Sequence, residues 1–357
     1  MKKMTMSKTS RQNFITYAMV IVVYVIFQTL SATGNLSSLM QGLLVPLCTY
    51  SILAVSLNLT VGVLGELSLG HAGFMCVGAF SSAFFTACMK DTITNDLLRF
   101  ILAFIVAAVC AGICGILIGI PVLRLKGDYL AIVTLAFGEI IMNIINALYI
   151  GRDENGFHFS MKDSMSLNLS DGGKIIIKGA QGITGTARQS TFTIGIILLL
   201  LTLVVVLNLM NSRSGRAIMA IRDNRIAAES VGIDITKYKI MAFAISASLA
   251  GLAGCLYAHN LSSLTALPKN FGYNMSIMIL VYVVLGGMAN MRGSIIAAVL
   301  LTIIPELLRE IGEYRMLIYA VIMIVMMIFN WSPKVREWRK AHSIKGVFHK
   351  KNVKEAE

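Results

Sequence analysis

His71 lies in the stretch Gly62–Gly78, GVLGELSLGHAGFMCVG, where an ionisable side chain sits among repeated glycines inside a run that otherwise reads as a membrane span. Lipid does not solvate such a group, so it is expected to face the bundle interior or a cavity. Glycines in a span either let helices approach closely or let the backbone unwind. Two readings stay open for this stretch. One is helix packing; the other is a discontinuous helix that lines a translocation path with Ser68, Gly70, His71 and Gly73. A second candidate lies in GDYLAIVTLAFGEIIMNIINAL, where Glu139, Asn143 and Asn146 are spaced i, i+4, i+7 and so share a helix face. At the usual rise Glu139 lies about 16 Å beyond Asp128, near the bilayer midplane. An ionised carboxylate there costs roughly 2.5–3.5 kcal/mol. Such a stripe, with Thr134 upstream, belongs either to a path or to an interhelical hydrogen-bonded contact.

The third candidate is the polar loop Ser212–Lys239, SRSGRAIMAIRDNRIAAESVGIDITKYK. From Gly215 to Val231 it reads as one amphipathic helix. Ala217, Ile218, Ile221 and Ala228 are its apolar members; Arg216, Arg222, Asp223, Arg225 and Glu229 are charged, and Gly232 is a helix stop. It would lie on anionic headgroups or dock a cytoplasmic partner.

Other chemistries lack their residues. There is no G-x-x-x-x-G-K-[ST] phosphate loop, so this chain does not bind ATP in that way. The five histidines are scattered, with no Ser/His/Asp arrangement or metal-ligand spacing. The six cysteines all fall in apolar runs. Cys110 and Cys114 share a helix face and read as small buried hydrophobes. We expect no catalytic residue, no metal site, no cofactor in this chain and no enzyme activity.

The elements that must position these groups are membrane helices. Of 357 residues, 56% are hydrophobic and 14% charged, against roughly a quarter charged in soluble domains. Apolar runs of span length predict an all-α polytopic membrane protein with about ten spans, eight at the fewest. They are Phe14–Leu30, Leu43–Gly62, Leu67–Met89, Phe100–Pro121, Asp128–Ile150, Thr191–Met210, Ile240–Ala258, Ser276–Met288, Ser294–Leu308 and Met316–Trp331. The first run is read as a retained span rather than a signal peptide. The eighth and ninth are short and meet near Gly286–Gly287. This break and the one at Gly65–Gly73 would suit two halves related by an inverted repeat.

The formal net charge of +13 does not imply nucleic acid. Lys and Arg concentrate at Lys2–Arg11, Arg124–Lys126, Arg213–Lys239 and Lys334–Lys354, between and beyond the apolar runs. The positive-inside rule then places both termini in the cytoplasm. The expected organisation is a cytoplasmic N-terminus at 1–13, a permease domain at 14–331 and a basic cytoplasmic tail at 332–357. Within the permease domain, 151–190 is an external excursion and 212–239 a cytoplasmic loop. The excursion is too long for a simple turn; its KIIIK segment, Lys174–Lys178, reads as a strand of a small cap.

Four blocks carry a family resemblance: Leu57–Phe80, Leu123–Asn146, Ser212–His259 and Leu280–Leu301. LSLGHAGF, and SGRAIMAIRDNRIAAESVGI followed by KYKIMAFAISASLAGLAG, are the specific ones. The chain resembles the LivM-type permeases of branched-chain amino acid ABC transporters. The resemblance implies a bacterial cell-membrane subunit that pairs with a second related permease. It also implies two cytoplasmic ATPase subunits carrying ATP and Mg, and an external binding protein that delivers substrate. Gly215, Arg216, Arg222, Asp223, Ala228, Glu229 and Gly232 then belong to the segment that meets the ATPase. The chain departs from the family pattern at Glu66, where glutamine is common, and at GGMANMRGS, Gly286–Ser294. There Ala289-Asn290 and Ser294 replace Gly-Ser and Pro.

Overall fold

The computed structural model describes residues 8–331 except 91, 124, 126, 154–155 and 171–172. The basic tail at 332–357, the first seven residues, and Arg124 and Lys126 therefore lie outside the described residues.

A long apolar helix, α1 (Lys8–Ala32), is followed by α2 (Ser38–Asn58). Ser37 starts α2 by accepting the Met40 amide, which satisfies one of the unpaired amides of a helix start. Ile52, Leu53, Ala54, Val55 and Leu57 have no exposed surface, so the second half of α2 is surrounded on all sides, as a helix apolar all round must be. It runs directly into a π-helical segment, Leu59–Leu64, which stops at Gly65 with φ +81°. Residues 65–70 are non-helical, and α3 (His71–Cys88) then begins. The expected third span, Leu67–Met89, thus starts four residues later, after a discontinuity. Next come α4 (Asp96–Val122), capped by Asn95, and α5 (Asp128–Ala147).

The polar excursion forms β1 (Tyr149–Asp153), β2 (Gly156–Ser160) and β3 (Lys174–Lys178), an antiparallel sheet in the order β2-β1-β3. KIIIK is a strand, as expected from the sequence. A register shift between Ile150 and Gly151 bends β1, and Ile150 and Ile177 turn inward. The expected fifth span ends at Ala147, because Tyr149 and Ile150 belong to this sheet. A short β4 (Ile183–Thr184) pairs with β5 (Ser263–Leu264).

After β4 the chain enters α6 (Phe192–Asn211), capped by Thr191. The polar loop follows as α7 (Arg213–Asp223) and α8 (Arg225–Ser230), and α9 (Ile235–Ala258) returns through the core. The last part contains α10 (Pro268–Phe271), α11 (Tyr273–Gly286) and α12 (Met291–Leu307). Residues from Leu300 onward form a second compact unit. It holds a 3-10 segment (Leu308–Tyr314) and α13 (Arg315–Trp331), whose Leu317, Val321, Ile324 and Ile328 are exposed at helical spacing.

Helices α3, α4 and α9 pack closely, and glycines bring their backbones together at several crossings. A Cβ added at Gly78 would fall 2.4 Å from the Gly251 Cα, and one at Gly254 would fall 2.1 Å from the Met75 carbonyl oxygen. One at Gly251 would fall 2.5 Å from the Ala107 carbonyl oxygen. Small residues at a membrane crossing let dispersion act over a long contact, and this replaces the missing hydrophobic drive between helices. Outward faces are the reverse: Val22 on α1 and Ile105 and Leu117 on α4 are exposed apolar residues fit for lipid.

Among the described residues, seven helices are long and apolar enough to cross a membrane. They are Asn13–Ala32, Ser38–Leu64, His71–Cys88, Asp96–Val122, Tyr129–Ala147, Phe192–Asn211 and Ile235–Ala258. These match the first seven expected spans one to one. The remaining three correspond to α11, α12 and α13, of 14, 17 and 17 residues, which are shorter than that measure.

Candidate functional site

The glycine-rich break is held from three sides. His71 opens α3, is 2% exposed, and its Nε2 lies 2.7 Å from the Ser56 hydroxyl of α2. The next amide, Ala72, donates to Ser276 of α11 at 3.1 Å. Leu69 donates its amide to Thr134 Oγ1 of α5 at 3.0 Å. Gly70 and Gly73 sit directly on α5: Cβ atoms there would come within 2.3 Å of the Thr134 carbonyl oxygen and 2.8 Å of the Gly138 Cα. Ser68 is 1% exposed, and its hydroxyl has no hydrogen-bond partner among the described residues.

The stripe on α5 divides. Thr134 is 1% exposed and belongs to the buried joint just described. Glu139 is half-buried, and its Oε1 accepts the Tyr273 amide at 2.7 Å. Tyr273 is the first residue of α11, so the carboxylate meets both an orphan amide and the positive end of a helix dipole. Asn146 donates to the Ala266 carbonyl at 2.8 Å. Asn143 bonds back to the Glu139 carbonyl of its own helix and stays exposed. It sits in the middle of an exposed face with Ile132, Ala136, Ile140 and Ala147. Of the expected path residues, Ser68, His71 and Thr134 are thus interior, Gly70 and Gly73 are packing contacts, and Glu139 and Asn143 reach the surface of the chain.

The polar loop differs from the single helix expected over Gly215–Val231. Asn224 adopts an extended conformation (φ −155°, ψ 104°) and its side chain caps Ala227 at 3.1 Å, starting a new helix. Asparagine competes in this way because its carbonyl bonds nearby amides more readily outside a helix. Gly232, at φ +83°, does end the second helix, and the Ile233 amide reaches back to the Ala228 carbonyl at 3.1 Å. Ala228, Ile221 and Ile235 form a small apolar cluster that ties α7, α8 and α9 together. Gly215 lies so close to α6 that a Cβ would meet the Leu209 carbonyl oxygen at 2.0 Å. Arg216 reaches the Asn211 carbonyl at 3.0 Å. Glu229 and Arg225 are exposed, beside Ile226 at 80% and Val231 at 74% exposure.

Loop and break meet at one place. Arg222 Nη1 donates to the Gly62 carbonyl at 2.9 Å while its Nε and Nη2 hold Asp223. The Arg222 side chain also lies against Gly65, where a Cβ would fall 2.5 Å from its Cγ. On the other side of the break Glu66 forms an ion pair with Lys239 of α9, both side chains largely buried. Reasoning from the sequence missed this joint and missed Asn58, although a lone amide in the apolar run of α2 is a recognisable signal. Asn58 Oδ1 accepts the Ala289 amide at 2.8 Å, and its Nδ2 donates to Ser294 Oγ at 2.8 Å. The second glycine-rich break expected from the sequence therefore rests on the helical run that leads into the first.

A model of the family described as the branched-chain amino acid transport system / permease component matches residues 39–329. The chain belongs to that family. A high-affinity branched-chain amino acid transport system permease protein, LivM, of Salmonella typhimurium is 36% identical over 294 residues, 80% of this chain and 67% of the relative. The LivM of Escherichia coli K12 is 34% identical over the same shares. A fructose import permease protein, FruG, of Bifidobacterium longum is 25% identical over 155 residues, 40% of this chain and 44% of its own. No solved structure matches. With seven helices able to span a bilayer, this permease is a multi-pass membrane protein.

Proposed function

We propose that this permease is one of two membrane-spanning subunits of an ATP-driven importer of branched-chain amino acids in the bacterial cell membrane. A second, related permease completes the path, and an external binding protein delivers leucine, isoleucine or valine. Two cytoplasmic ATPase subunits, which carry the ATP and Mg, dock on residues 212–239. Both termini are cytoplasmic, and all ten apolar helices lie in the membrane.

The bond from Arg222 to the Gly62 carbonyl carries this reading. It links the loop that would receive the ATPase to the end of a discontinuous helix. A push on α7 and α8 therefore has a direct route to the break. The exposed Ile226, Val231 and Glu229 suit a docking contact with an apolar centre and a charged rim. The exposed face of α5 supports a path between subunits, since an amide fixed at Asn143 is costly against lipid and useful toward a second permease.

Co-reconstitution of the four kinds of subunit in vesicles, with labelled leucine and ATP, tests the proposal. Uptake that needs ATP and every partner is the expected result; proton-driven uptake by this permease alone overturns it. The similarity to a fructose permease favours a second reading, in which the same machine carries another small solute. Ligand titration of the delivering protein separates the two.

A further inference from the structure

The three-stranded sheet has two unlike faces. Residues directly opposite each other across an antiparallel pair project on the same side, and successive residues of a strand project on opposite sides. Ile150 stands opposite both Phe159 and Ile177, and Arg152 stands opposite Phe157. These five side chains therefore share one face. Asp153, His158 and Ser160 project on the other, where His158 Nε2 lies 3.1 Å from Asp153 Oδ2.

The first face looks toward the membrane-spanning helices. Ile150 and Ile177 are buried in the core those helices form. Arg152 Nη1 donates at 2.8 Å to the carbonyl of Cys88, the last residue of the span His71–Cys88. The Phe157 ring packs on Phe84 of the same span, 5.9 Å between centroids. Phe84 lies about 6 Å inside that span's end at the usual helical rise. The edge strand β2 carries this face beyond its cover, so Phe157 and Phe159 are 48% and 65% exposed.

We propose that β2 lies in the membrane interface, with Phe157 and Phe159 seated among the first acyl carbons of the leaflet at this end of the bundle. The depth of Phe84 falls within the roughly 5–10 Å to which amphipathic segments sink at an interface. The exposed rings point along the spans, toward the bilayer, and the titratable pair Asp153 and His158 stands on the reverse face, toward water. A soluble partner would meet the reverse face first. Aromatic rings exposed on an open edge strand invite aggregation in water; lipid covers them. The sheet then fixes the depth at which α3 and α5 end. The inference depends neither on the transported solute nor on the ATPase.

Phe159→Trp and, one residue on, Ser160→Trp place a fluorescent reporter on the two faces. Each is made in the full chain together with Trp331→Phe and Trp338→Phe, and is reconstituted in phosphatidylcholine vesicles with or without bromine high on the acyl chains. Brominated lipid should lower the emission of Phe159→Trp about twofold and leave Ser160→Trp unchanged, and acrylamide in the water should do the reverse. Should that background fail to fold, the same comparison is read as the difference between each single variant and the wild-type chain. Emission of Phe159→Trp that responds to acrylamide and not to brominated lipid overturns the proposal. Loss of the lipid effect on co-reconstitution with the second permease also overturns it, because the face would then belong to a protein contact.

Discussion

Asn58 and Ala289, 231 residues apart, are joined by a 2.8 Å hydrogen bond from the Ala289 amide to the Asn58 side-chain oxygen. Ala289 has φ +62°, a conformation that costs a non-glycine residue roughly 1–2 kcal/mol. The bond from Asn58 and the close fit of Gly62 against Ala289 hold the strained turn.

Asn58→Leu leaves the Ala289 amide and the Ser294 hydroxyl without this partner, and should cost about 2–4 kcal/mol. Ser294→Ala removes only one of the two bonds and should cost about 1 kcal/mol. Thermal unfolding in detergent ranks the variants. Equal melting temperatures for Asn58→Leu and the wild type would show that the junction contributes nothing.

Glu66→Gln keeps a hydrogen-bond acceptor near Lys239 but strands a buried ammonium, so it should destabilise by about 3 kcal/mol. Adding Lys239→Gln to it should recover most of that loss. A double-mutant cycle measures the coupling, and strict additivity would mean that the pair does not interact.

Arg222→Ala removes a charge-assisted bond to the Gly62 carbonyl, of a kind worth about 1.5–3 kcal/mol. Expression should persist, while leucine imported per ATP hydrolysed should fall about tenfold. Ile226→Asp should act differently, by weakening ATPase assembly. Pull-down of the ATPase with each variant separates lost docking from lost transmission. Full transport by Arg222→Ala would remove the link from the mechanism.

Glu139→Gln and Glu139→Leu discriminate two roles for the carboxylate. As a partner for the α11 start, Gln should retain most uptake, whereas Leu should lose about 1 kcal/mol of stability and much uptake. A proton relay would fail equally in both. Uptake in vesicles together with melting temperature reads the result.

The seven long spans were legible because lipid requires about 20 apolar residues in a row, a local property of sequence. Gly232 and Lys174–Lys178 were legible for similar reasons, as a left-handed stop and a short β-branched run. The split at Asn224 was not, since amphipathic spacing continues smoothly across it and only the capping geometry breaks the helix. Partnerships were least visible. Arg222 and Gly62 are 160 residues apart, and Glu66 and Lys239 are 173 apart, so no local pattern announces them. Gly70 and Gly73 lie against Thr134 and Gly138 of α5, a contact that no local pattern announces.

The glycine contacts joining α3, α4 and α9 have a mechanical meaning. Where main chain rests on main chain, there are no side chains to change rotamer and absorb a sliding motion. That trio is expected to travel as one piece. The joints around the discontinuity are of another kind: a guanidinium on a carbonyl, an ammonium on a carboxylate, an amide clasping a turn. Each can exchange one polar partner for another without repacking main chain against main chain. Rigid stock and exchangeable latches lie side by side, so the latches decide where the molecule bends.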